Sequence, residues 1–145
     1  MIQLLYQGQW VLFFVILAAL LVSLSFHEFG HAWVAKRCGD NTAQRAGRLT
    51  LNPISHIDPL GLMMVVFVGF GYAKPVPTDP RNFTSRYADM LVAAAGPAMN
   101  LLLAVITVNL FVHGLRFGWY VPYDTLPQAM LFVARINVLL MIFNL

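Results

Sequence analysis

The sequence predicts an all-α transmembrane bundle of three core spans, with a short strand or re-entrant insertion between the first and second spans. Three observations carry that prediction. The 145 residues are 59% hydrophobic and only 10% charged, with a mean hydropathy of +0.71, where a soluble domain carries about 25% charged residues. Two apolar stretches are long enough to cross a bilayer as helices, and a third begins near the C-terminus. Between the first two lies a polar, Gly- and Pro-rich segment interrupted by a short apolar run.

The length allows one membrane-embedded domain, residues 1–145. The single cysteine, Cys38, excludes a disulfide framework and a cysteine-based zinc site. A net charge of +3 calls for no nucleic-acid partner. No cleavable signal peptide is expected, because the N-terminus lacks a basic region and the first apolar run leads into HEFGH.

Residues 10–26 carry no charge, and the helical pattern continues to Lys36 and Arg37. At ~1.5 Å per residue that helix is roughly 40 Å long, enough to span with some tilt. Tyr6 and Trp10 suit one membrane interface, and Trp33, Lys36 and Arg37 the other. Residues 38–61 are a connection, in which Arg48-Leu49-Thr50-Leu51 alternates like a short strand. Residues 62–70 are apolar but too few for a helical span, which suits a strand or a re-entrant segment. Pro75, Pro77 and Pro80 exclude a continuous helix in the next stretch. The second span covers about 87–112, with Gly96 and Pro97 inside it. The third runs over 128–145.

Lys36, Arg37, Arg45, Arg48, Lys74, Arg81 and Arg86 all lie between the first two spans. The positive-inside rule puts this connection in the cytoplasm and the N-terminus outside.

The chemistry is carried by His27-Glu28-Phe29-Gly30-His31, an HExxH pattern. Helical positions i and i+4 share a face, so both imidazoles reach one ion. Glu28 stands one step round, close enough to take a proton from water that the ion acidifies. Zinc favours imidazole nitrogen and lowers the pKa of such water to ~7. The bland alternative, polar residues marking the helix's exit from lipid, fits poorly with three ionisable side chains at membrane depth. His27 lies seventeen residues, or ~25 Å, from Trp10, which places the site toward the cytoplasmic side.

Four segments carry a family resemblance: HEFGHAWVAKRCGD (27–40), GRLTLNPISHIDPLG (47–61), GFGYAKPVPTDPRNF (69–83) and AAAGPAMN (93–100). Together they resemble the small bacterial branch of the site-2 protease family of intramembrane metalloproteases. The resemblance implies a three-helix core and one Zn2+ per chain, bound by two histidines and an aspartate. It also implies cleavage of transmembrane protein substrates in a bacterial plasma membrane. The aspartate belongs to an Asn-x-x-Pro-x-Pro-x-x-Asp-Gly motif. Phe143-Asn144-Leu145 resembles its opening, so the third ligand is expected beyond Leu145 and the chain by itself is expected to be inactive.

Asn100, within the second span, is a candidate catalytic residue whose amide could bond the scissile carbonyl or its oxyanion. An interhelical hydrogen bond is its alternative. His56 and Asp58 are weighed as spare ligands against turn chemistry at Asn52-Pro53 and Asp58-Pro59. His113 reads as an interface residue, Asn137 and Asn144 are weighed as lining of the bundle interior against plain packing, and Arg135, weighed between snorkelling and pairing, is not placed. Two rival functions remain: a metal-transport subunit using His27 and His31 as a transit site, and a catalytically inactive membrane scaffold. A transit site has no use for a base at Glu28.

Overall fold

The computed structural model describes residues 1–68 and 71–144. Among the described residues the architecture consists of six α-helices: α1 (Ile2–Tyr6), α2 (Trp10–Arg37), α3 (Thr42–Arg45), α4 (Pro59–Phe67), α5 (Ala88–Arg116) and α6 (Thr125–Phe143). Of these, α2, α5 and α6 are long and apolar enough to cross a membrane. In lipid a helix satisfies its backbone polar groups internally, which is why uncharged runs of this length fold this way. Each of the three packs against the other two. Large apolar side chains such as Leu101, Leu102, Val105 and Ile106 stay on the outside of the bundle, as suits a lipid-facing surface. Arg37 lies over the Trp33 ring, 5.1 Å from its centroid, at the end of α2.

Small residues let α2 and α5 approach closely. Gly30 sits so near α5 that a Cβ would fall 2.8 Å from the Ala95 carbonyl oxygen. The bundle's buried interior is polar at one level. Ser23, Asn100 and Asn137, one from each spanning helix, are all at most 1% exposed.

The expected strand or re-entrant insertion is corrected by the structure. Among the described residues the connection contains no strand, only an isolated antiparallel bridge between Ile57 and Ala73. Arg48-Leu49-Thr50-Leu51 has no ladder partner, and its arginine turns inward rather than alternating. Most of the apolar run expected as a strand or re-entrant segment is helical, in α4, while residues 69 and 70 lie outside the described residues. The start of α4 explains the outcome. Asp58 caps it, its Oδ1 accepting from the N–H groups of Leu60 at 3.0 Å and Gly61 at 2.9 Å, with Pro59 at the first helical position. At nine residues, or ~13 Å, α4 cannot span the hydrocarbon core.

Asn52 and Asp79 likewise open short 3₁₀ turns, Pro53–Ser55 and Pro80–Asn82, each with proline following the cap. Residues 74–79 run between the bridge and the second of these turns without helix or strand.

Candidate metal centre

His27 and His31 lie one turn apart on α2, and their Nε2 atoms are 3.0 Å from each other. The rings meet edge to face, with centroids 4.7 Å apart. Each ring is held from behind. His27 Nδ1 lies 2.5 Å from Asn100 Oδ1, and His31 Nδ1 lies 2.6 Å from the Val92 carbonyl oxygen. Both partners are acceptors, so both Nδ1 atoms carry the proton and both Nε2 atoms present a lone pair. Two lone pairs facing each other at this distance repel unless a cation lies between them. Imidazoles oriented through the second ring nitrogen are how proteins present histidine to a metal. The donor set therefore fits zinc as far as two imidazoles go. Among the described residues no third His, Cys, Asp or Glu joins them in a ligand set.

The orientation of Asn100 is itself determined. Its Nδ2 donates to Asn137 Oδ1 at 2.8 Å and to the Ser23 carbonyl at 3.3 Å. Asn137 Nδ2 donates to Ser23 Oγ at 2.9 Å and to the Val133 carbonyl at 2.9 Å. With its amide nitrogen committed, Asn100 must turn its oxygen to His27. The amide is thus engaged with α2 and α6, the interhelical bond weighed as the alternative to an oxyanion role. Asn137 lies in the bundle interior and bonds both Asn100 and Ser23.

Gly96 of α5 completes the seat. A Cβ there would run into His27 Nε2 and His31 Nε2. Pro97 lacks an N–H, so the Ala93 carbonyl loses its helical donor on this same stretch of α5.

Glu28 is buried beside the histidines and points toward residues 74–79. Its Oε2 accepts from the Val76 N–H at 3.2 Å. A cavity of about 310 Å³ lies between them, lined by His27, Glu28 and His31 on one side and Pro75, Val76 and Thr78 on the other. Val92 and Asn144 complete its wall. A larger cavity of about 390 Å³ lies between α2, α4 and α6. It is lined mostly by leucine, isoleucine and valine, and its one carboxylate, Asp58, is occupied capping α4.

His56 and Asp58 do not line the smaller cavity. His56 is 1% exposed and its Nε2 donates to the Thr50 carbonyl at 2.8 Å. Burial pulls its pKa below the ordinary histidine value, the Thr50 carbonyl opposes this, and the Arg48 charge adds to the lowering. Asp40, fully buried just past α2, accepts from the Thr42 hydroxyl at 2.5 Å, the Thr42 N–H at 2.9 Å, the Asn82 amide at 3.0 Å and the Asp79 N–H at 2.7 Å. Burial alone would raise its pKa, but these donors outweigh it and hold the carboxyl down at about 2. His113 is exposed near the end of α5, and Arg135 is exposed on α6.

Comparison with known proteins identifies the family. The profile of Peptidase family M50 matches residues 15–128. The chain is 43% identical over 130 residues to a Bacillus subtilis (strain 168) protein provisionally named zinc metalloprotease YwhC, covering 87% of this chain and 59% of that protein. It is 32% identical over 138 residues to a Mycolicibacterium smegmatis protein provisionally named zinc metalloprotease Rip2, covering 92% of this chain and 52% of that one. A Mycobacterium tuberculosis protein of the same provisional name is 38% identical over 99 residues, 65% of this chain and 38% of its own length. The chain thus spans little more than half the length of the first two relatives. No solved structure matches it. A family profile that covers most of the chain, with HExxH seated on a spanning helix, places this protein in peptidase family M50, the site-2 proteases.

Proposed function

We propose that the full-length protein is an intramembrane zinc metalloendopeptidase that hydrolyses peptide bonds of transmembrane protein substrates near the cytoplasmic side of a bacterial plasma membrane. One observation carries the reading: two imidazoles with converging Nε2 atoms and a buried carboxylate one residue away, all facing one cavity. His27 and His31 would hold one zinc per chain together with a third protein ligand. Zinc bound there would supply Lewis acidity and lower the pKa of water toward neutrality.

Every other part belongs to the chain itself. Glu28 takes the proton from the attacking water and returns it to the leaving amine. Asn100 acts through His27, fixing the tautomer that leaves Nε2 free, and Asn137 acts through Asn100. Pro75, Val76 and Thr78 form the wall of the cavity opposite the histidines. The excess of basic residues between α2 and α5 supports a cytoplasmic connection and an external N-terminus.

The test uses purified full-length protein in detergent with a model transmembrane substrate. Cleavage should stop on treatment with a chelator and return when zinc is restored. Cleavage at an undiminished rate after the metal has been removed would overturn the proposal.

A further inference from the structure

Arg48 counts in the sequence only as one of the basic residues between the spans, yet its side chain is buried at 7% exposure. Its guanidinium donates to the carbonyls of Ser55, Lys74 and Pro75, the last at 3.1 Å. Burying a charge is costly unless its donors are used. Here two of the three acceptors lie more than twenty residues away in sequence. The local turn does not require them, so the arginine serves the distant segment.

The Pro75 carbonyl and the Val76 N–H belong to one planar peptide unit. Arg48 holds the oxygen of that unit, and Glu28 Oε2 accepts from its nitrogen at 3.2 Å. Hydrogen bonds in series through a peptide polarise one another, so the cation on one side strengthens the donor on the other. The segment is also fixed elsewhere. The Lys74 N–H donates to the His56 carbonyl at 3.0 Å, and the Asp79 N–H donates to Asp40 Oδ2 at 2.7 Å. Pro75 and Pro77 flank Val76 and have no N–H to offer. Val76 is therefore the donor that residues 75–77 can give to Glu28.

We infer that Arg48 is a positioning residue for the reaction. It fixes the Pro75–Val76 peptide and, through it, the direction of the Glu28 carboxylate beside His27 and His31. The catalytic consequence rests on the peptidase reading above. The link from Arg48 to Glu28 does not, and the test separates the two.

In full-length protein, hydrogen-exchange mass spectrometry reads Val76 as the single exchangeable backbone amide of residues 75–77. Exchange there should quicken roughly tenfold in Arg48→Met and less in Arg48→Lys, which keeps the charge but loses the fork. Against a model transmembrane substrate, kcat should fall roughly tenfold in Arg48→Met with KM within about twofold, and part of it should return in Arg48→Lys. Zinc content should match wild type in both. Unchanged Val76 exchange and unchanged kcat in Arg48→Met would overturn the inference. If Arg48→Met does not fold, Arg48→Lys carries the test by the same criteria. Zinc lost together with activity in Arg48→Lys would make Arg48 a fold residue and also overturn it. A wild-type protein that cleaves nothing would instead count against the peptidase reading, while Val76 exchange would still decide the Arg48 link.

Discussion

His27 Nε2 and His31 Nε2 lie 3.0 Å apart with both Nδ1 protons committed to acceptors on α5. This arrangement suits a cation, and it makes the metal the first thing to measure. His27→Ala or His31→Ala in full-length protein should lose most of the zinc that elemental analysis finds in wild type, about one per chain. Wild-type occupancy in both variants would remove the histidines from the ligand set.

Asn100 should matter for metal affinity before it matters for chemistry. Asn100→Leu leaves the His27 Nδ1 proton without its acceptor and Asn137 Oδ1 without its donor. Loss of such a supporting partner weakens metal binding by about 10- to 100-fold. Asn137→Leu should act in the same direction and more weakly. Competition with a zinc chelator of known affinity measures both. An Asn100→Leu protein with wild-type affinity and slowed cleavage would return Asn100 to the oxyanion role.

Gly96→Ala adds a single methyl group where His27 Nε2 and His31 Nε2 already lie. Helix propensity alone would favour alanine by about 1 kcal/mol. The expected outcome is nevertheless a folded protein with sharply reduced zinc content. Helical content by circular dichroism and zinc by elemental analysis, on one sample, separate the two effects.

Much of this centre is legible in the sequence, for physical reasons that differ by element. α2 is legible almost to the residue, because the uncharged run over residues 10–26 has one stable form in lipid, and HExxH on a helix fixes which side chains converge. α4 is not. A nine-residue apolar run has no decisive periodicity, and Asp58-Pro59 signals a turn as well as a helix start. Arg48 and Asp40 are legible only as charges. Their partners at residues 74–82 are distant in sequence, and no local pattern records that pairing. Asn100 and Asn137 stand out as polar residues in apolar helices, but the sequence does not tell which face meets which.

Acidity should act on the connection through two groups. Asp40 has its pKa lowered from an ordinary 3.8 to about 2, so its stabilising contribution is full above pH ~4 and fades as pH falls toward 2. His56 also has a lowered pKa, so the fold prefers its neutral form. Its contribution is full above the ordinary value of 6.5 and declines as pH drops below it. Thermal unfolding in detergent should therefore show a first loss of stability below pH ~6.5, absent in His56→Gln.

Asp40→Asn tests the same network at neutral pH. The new amide cannot accept from all four donors at once, and its N–H₂ would face one of them. A loss of about 1–3 kcal/mol is expected, read as a lower unfolding midpoint. Equal midpoints for Asp40→Asn and wild type would mean that Asp40 does not anchor residues 79–82.

The central claim is that Glu28 moves the proton while His27 and His31 hold the metal. The most direct measurement is the rate at which full-length Glu28→Gln, with its zinc content determined on the same sample, cleaves a transmembrane substrate. An amide can accept the Val76 N–H but cannot take a proton from water. The expected result is a zinc-loaded protein with cleavage reduced by at least about 10²-fold. Cleavage at the wild-type rate by the zinc-loaded variant would contradict the account.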